Sequence, residues 1–99
     1  MARLSTHILD TAAGRPAAGV EVRLYGAARD LRKAVITGAD GRALVDEDVP
    51  PGVYELVFDV RVSDFLDQIV VRFIIAEGQA SYHVPLLVSP YGYTTYRGS

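Results

Sequence analysis

The chain contains no cysteine, which removes disulfide scaffolds, thiolate zinc sites and cysteine nucleophiles together. Long apolar runs are missing too. The longest, Phe73–Ala76, is four residues, against the ~20 that a bilayer-spanning helix needs, so no membrane role is expected. Positive charge is not in excess: ten Lys and Arg against twelve Asp and Glu give a net charge of −2 at pH 7. Without a basic field to neutralise phosphates, nucleic acid is not expected as a partner. The opening Met-Ala-Arg-Leu-Ser-Thr-His has no hydrophobic signal core, which predicts a cytoplasmic protein. What the chain does have is 49% hydrophobic and 22% charged residues over 99 positions, a composition that excludes disorder. That length makes one domain, 1–99, burying roughly 65% of its unfolded surface.

The dominant hydrophobic period is two. Leu4, Thr6 and Ile8 alternate with Ser5, His7 and Leu9, and Val20, Val22 and Leu24 alternate with Glu21, Arg23 and Tyr25, which predicts strands with one apolar face. Residues 53–62, 69–76, 82–88 and 91–96 are rich in β-branched and aromatic side chains, and 31–37 and 43–45 add a moderate strand and a short one. Ala13-Gly14-Arg15-Pro16, Asp40-Gly41, Pro50-Pro51-Gly52, Glu77-Gly78-Gln79 and Ser89-Pro90 punctuate these runs as turns. Seven or eight short strands with such spacing read as an all-β sandwich. The best helix candidate, 63–68, amounts to about one turn.

Candidate chemistry is sparse. His7 and His83 lie 76 positions apart on different strands. Imidazole is the side chain best matched to proton transfer near pH 7, although a lone strand histidine is usually structural. Arg42 follows the Asp40-Gly41 turn, as either a solvated charge or a planar donor fork for a carbonyl or anion. The C-terminal run from Ser89 through Tyr91, Tyr93 and Tyr96 to Arg97-Gly98-Ser99 is unusually aromatic for a chain end, and by itself reads as an edge strand that pairs with another subunit.

Taken together, Leu4-Ser5-Thr6-His7-Ile8-Leu9-Asp10, Asp40-Gly41-Arg42, Tyr82-His83-Val84-Pro85-Leu86-Leu87, Ser89-Pro90-Tyr91-Gly92-Tyr93 and the terminal Tyr96-Arg97-Gly98-Ser99 resemble the 5-hydroxyisourate hydrolases of the transthyretin-related family, essentially end to end. Gly14-Arg15-Pro16-Ala17 fits the family's Gly-Lys-Pro-Ala turn. The Tyr-Arg-Gly-Ser end is the most specific element, because it separates the hydrolases from hormone-carrying transthyretins. The resemblance implies a transthyretin-like sandwich of two four-stranded sheets with at most one short helix. It also implies edge-strand dimers paired back to back into a homotetramer, with active sites in the channels between them. The implied reaction opens the six-membered ring of 5-hydroxyisourate, in urate degradation, to give 2-oxo-4-hydroxy-4-carboxy-5-ureidoimidazoline. The implied catalytic residues are His7, Arg42, His83 and Ser99, with His7, Arg42, Tyr96, Arg97 and Gly98 binding substrate. Neither metal nor organic cofactor is expected.

One departure from the family stands out. After the strand around Tyr54–Asp59 the relatives carry a short helix, whereas here only 60–68 separates that strand from the next. Because Arg61-Val62-Ser63-Asp64-Phe65-Leu66 looks like the distal end of such a connector, residues missing from the sequence are expected there, the other reading being a true deletion. Two further readings compete with hydrolysis: a transthyretin-like carrier of a small aromatic ligand, and a generic adhesion sandwich. A carrier needs an apolar channel and has no use for two imidazoles and a guanidinium, whose burial costs desolvation energy.

Overall fold

A computed structural model describes residues 1–98. Nine strands run along the chain: β1 Ala2–Asp10, β2 Arg15–Pro16, β3 Glu21–Gly26, β4 Leu31–Ile36, β5 Arg42–Val49, β6 Gly52–Asp59, β7 Ile69–Ile75, β8 Ser81–Ser89 and β9 Gly92–Thr95. They form two sheets. One is the antiparallel run β4-β3-β6-β7. In the other, β1 pairs in parallel with β8 and β8 antiparallel with β9, while β5 and the two-residue β2 share the far edge of β1. The sandwich therefore has four strands in one sheet and five in the other, because Arg15-Pro16 pairs with Leu9 and Asp10 instead of serving only as a turn.

The alternation of β1 does what its sequence pattern requires. Leu4, Thr6 and Ile8 are buried, Ser5 and His7 half-buried on the opposite face. Facing them across the core are Val22 and Leu24 from β3 and Leu56 and Phe58 from β6, and beside them in the same sheet lie Val84, Leu86 and Val88 from β8. Thr6 is tolerated inside because its hydroxyl donates to the Val84 carbonyl at 2.7 Å, which meets the requirement that a buried polar group be bonded.

One expectation is corrected. No helix forms among the described residues: bends run over 62–65 and 66–68 is irregular, with Ser63 Oγ donating to the Pro90 carbonyl and accepting from Phe65 N–H, which ties the segment to the β8–β9 turn. The connector between β6 and β7 spans nine residues, 60–68. Val60 is buried and Val62 packs against the core, while Phe65 lies 6.1 Å from the Tyr91 ring. The short connector thus carries its own apolar anchors.

β5 is longer than expected, extending through Asp46-Glu47-Asp48. Three acidic residues in a row speak against a strand, but Arg32 of β4 offsets them. Its Nε donates to the buried Asp46 carboxylate at 2.9 Å and its Nη2 to the Asp48 carbonyl at 2.9 Å, linking the two sheets. No helix of the described residues is long and apolar enough to cross a membrane.

Candidate active site

The pairing of strands brings the sequence candidates onto one face. β1 and β5 place His7 beside Arg42. β1 and β8 place Ser5 beside His83. On β1 and β8 these residues occupy the positions that alternate with the buried ones, and Arg42 of β5 is the register partner of His7, so Arg42, His7, Ser5 and His83 all lie on the outer face of the five-stranded sheet. Adjacent strands are separated by ~4.8 Å, which sets the spacing of the row.

The C-terminal tail reaches the same face by an interruption in the ladder. β9 pairs with β8 from Ser89↔Gly92 to Leu86↔Thr95, and an isolated bridge, His83↔Gly98, continues the same register. Between them stands Pro85, which has no N–H to offer Tyr96 across the pair. The Thr95 hydroxyl instead donates to the Pro85 carbonyl at 2.7 Å. Two residues on, the chain re-docks, with Gly98 N–H donating to the His83 carbonyl at 2.6 Å. Gly98 fits there because it lacks a side chain: a Cβ would stand 2.8 Å from His83 Cδ2 and 3.3 Å from both His83 Cβ and its carbonyl oxygen. Arg97 fixes the tail from the side. Its guanidinium carbon lies 4.2 Å over the Tyr82 ring, and Nη2 donates to Gln79 Oε1 at 3.1 Å and the Ser81 carbonyl at 3.4 Å.

These elements enclose an open hollow of about 680 Å³ whose wall includes Arg3, Ser5, Arg42, His83, Arg97 and Gly98. Arg42 is exposed, and its contact with Asp40, 3.8 Å between Nε and Oδ2, is a loose surface pair of little energetic weight. The guanidinium is therefore available to a ligand. Asp40 contributes more through its other oxygen, which accepts Arg42 N–H at 3.0 Å and fixes the turn. Gly41, at φ +75°, is needed between them, since a Cβ would stand 2.5 Å from the Ile8 carbonyl oxygen and 2.9 Å from Pro16 Cβ.

The imidazole of His83 is partly buried, and Nδ1 lies 2.9 Å from Ser5 Oγ. Burial, then the positive charge of Arg42, then His7, hold His83 below the ordinary histidine value of 6.5. All three disfavour the cation, so the ring is neutral near pH 7 and able to accept a proton. Among the described residues, no three metal-ligating side chains gather as a cluster.

Not every candidate lies on this hollow. His7 belongs to the same sheet face but is not part of its wall. Tyr96 instead lines a smaller, apolar groove of about 230 Å³ with Val71, Phe73 and Ile74, and Ser99 lies outside the described residues. Arg3 and Ser5 were missed in the sequence. Ser5 has a signal in hindsight, being two positions before His7 and hence on its face of β1, but its partnership with His83 depends on the parallel pairing of β1 with β8.

Comparison with known proteins bears on the family and the fold. The model of the HIUase/Transthyretin family matches residues 4–98. A 5-hydroxyisourate hydrolase of Pseudomonas aeruginosa is 46% identical over 117 positions, covering 100% of this chain and 93% of its own length. Those 117 positions against the 99 residues here leave eighteen without a counterpart in this chain. The structure of Klebsiella pneumoniae 5-hydroxyisourate hydrolase superposes with a TM-score of 0.86 at 33% identity, covering 100% of both chains. Sea bream transthyretin, solved in complex with thyroxine, gives 0.84 at 30% identity, covering 96% of this chain and 93% of its own. With the fold and the family match in agreement, this chain belongs to the HIUase/transthyretin family.

Proposed function

We propose that residues 1–99 form a single transthyretin-like domain that hydrolyses 5-hydroxyisourate to 2-oxo-4-hydroxy-4-carboxy-5-ureidoimidazoline. The reading rests on one observation above all: Arg42, His7, His83 and Gly98 share one outer sheet face, although the sequence scatters them between positions 7 and 98. Hydrolases of that name supply the substrate class.

Water attack on a ring carbonyl needs a base, a group for the developing oxyanion and a proton for the departing ring nitrogen. His83 and His7 together orient the water, accept its proton and return one to the nitrogen. His83 is suited to the accepting step because its surroundings keep it neutral. Arg42 holds the substrate carbonyls and offsets the negative charge of the tetrahedral intermediate without losing its own proton. Arg97 and Gly98 border the binding hollow. In this proposal Tyr96 contacts the planar substrate from a completed assembly, and Ser99 contributes its hydroxyl. The assembly is a homotetramer, a dimer of dimers, in the cytoplasm. Consistent with pairing between copies, β7 and β9 are both open sheet edges carrying exposed Val70, Ile74 and Tyr93.

The test generates 5-hydroxyisourate with urate oxidase and follows its ultraviolet decay. The protein accelerates decay above the spontaneous rate, and His7→Ala and Arg42→Ala each lower turnover at least ~100-fold with unchanged circular dichroism. No acceleration by the unmodified protein, with binding of an aromatic ligand instead, would convert the assignment to a carrier. Light scattering at four times the 10.7 kDa chain mass checks the assembly.

A further inference from the structure

Within the hydrolase reading, on which this inference rests, we propose that Ser5 is the positioning residue of His83: its hydroxyl accepts Nδ1–H and so leaves the Nε2 lone pair to exchange protons with water and substrate. Three features of the structure carry this. Ser5 Oγ and His83 Nδ1 lie 2.9 Å apart, within hydrogen-bond distance. The contact is built into the backbone, because Ser5 and His83 are direct partners in the parallel pairing of β1 with β8. Finally, both side chains line the same hollow as Arg42, so the bond lies at the wall where the reaction is placed.

The proton inventory fits an uncharged partner. At the start Nδ1–H donates to Ser5 Oγ and Nε2 is bare. As water adds to the ring carbonyl, its proton passes to Nε2, and the imidazolium keeps Nδ1–H on Ser5. When the carbon–nitrogen bond breaks, Nε2–H passes to the departing nitrogen and the ring returns to its first state. The Nδ1–H bond persists throughout, as it does for histidines whose second nitrogen is held by an outer partner. A carboxylate in place of Ser5 would hold the same tautomer but would also stabilise the cation, opposing the release of the proton. A hydroxyl fixes the ring without adding charge. Gly98, docked on the His83 carbonyl and against the Cδ2 edge, limits rotation from the other side.

Ser5→Ala, Ser5→Thr and Ser5→Val separate positioning from packing. Ser5→Ala lowers kcat by about 10–100-fold, the range for removal of a histidine's outer partner, while KM stays within about twofold because the substrate-holding groups are untouched. Ser5→Thr restores most of kcat by returning the hydroxyl. Ser5→Val has the same shape as threonine but no hydroxyl, and stays low. Equal activity of the Thr and Val variants, or wild-type kcat in Ser5→Ala, overturns the proposal. Nitrogen-15 spectra of the His83 ring in the unmodified protein give a reading that does not depend on whether a variant folds. A protonated Nδ1 with a bare Nε2 at neutral pH is expected, and the opposite tautomer overturns the proposal. If the unmodified protein does not accelerate decay, the hydrolase reading fails and the catalytic role of Ser5 fails with it. An active protein with an indifferent Ser5 overturns this inference alone.

Discussion

Replacing Gly98 with alanine tests whether the tail holds the imidazole of His83, the base in the proposed mechanism. The added Cβ would stand 2.8 Å from His83 Cδ2 and 3.3 Å from His83 Cβ, whereas carbon atoms rest at about 3.5–4.0 Å. Relief requires a displacement of about 1 Å, and there are two ways to obtain it. The imidazole rotates, stretching the 2.9 Å contact between Nδ1 and Ser5 Oγ, or the tail lifts and breaks the 2.6 Å bond from Gly98 N–H to the His83 carbonyl. Either shifts a reacting or supporting group by the amount that costs about 100-fold in rate. The effect on stability is much smaller. One backbone hydrogen bond near a chain end contributes about 1 kcal/mol, or roughly 4–8 °C in Tm for a domain of this size. Decay of enzymatically generated 5-hydroxyisourate, read alongside thermal unfolding, separates the two effects. Gly92→Ala is the control, since a Cβ there meets nothing closer than Ser89 Oγ at 3.9 Å. A Gly98→Ala protein with kcat within about twofold of the Gly92→Ala control, far from the ~100-fold expected, would show that the docked tail does not position His83.

Two more expectations follow from charge and burial. His83 titrates below 6.5, held down first by burial and then by Arg42 and His7. Between its folded value and 6.5 the unfolded chain binds a proton that the folded chain does not, so His83 adds stability above this window and that contribution is lost as pH falls through it. A proton-NMR titration reads the shift, and Arg42→Gln should raise the midpoint; an unchanged midpoint would remove Arg42 as a cause. Arg32→Ala should destabilise the fold by about 2 kcal/mol, less than the ~3–5 for a fully buried pair, because Arg32 is one-third exposed and Asp46 keeps the Asp48 N–H. Urea unfolding measures this, and a loss below about 0.5 kcal/mol would reduce the clasp to an ordinary surface pair.

The parts of the fold governed by local physics were legible. Alternation identified the buried face of β1 and β3, and Asp40-Gly41 marked the turn before Arg42, as the φ of Gly41 requires. The misread segments depended on distant partners. The short strand expected over 43–45 extends through Asp46-Glu47-Asp48, where Arg32, from another strand, meets Asp46 and the Asp48 carbonyl. Residues 63–68 had the composition for a helical turn, but the Ser63 hydroxyl bonds the Pro90 carbonyl, 27 residues away, and holds the segment in bends. For the site, residue types and the likeness to a family named His7, Arg42 and His83, while Ser5 was hidden because nothing local links it to a histidine 78 positions on.

Pro85 shows why such convergence resists a sequence reading. β8 is an internal strand, with β1 on one side and β9 on the other, and proline inside a strand argues against that placement because it cannot donate to the ladder. Along β8 the direction of the backbone groups alternates: the carbonyls of Ala80 and Val88 face β1, accepting from Arg3 and Thr11, while those of His83 and Pro85 face β9 and the tail. The missing N–H of Pro85 therefore falls on the tail side and leaves the pairing with β1 whole. Its cost is confined to Tyr96 and Arg97, which leave the ladder. Arg97 is thereby free to lie over Tyr82 before Gly98 returns to His83 in the original register. A residue that would ordinarily count against a central strand is in this position the reason that a chain end reaches a histidine's backbone and ring. Pro85, Gly98 and His83 act as one unit, and its logic appears only once the pairing partners of β8 are known.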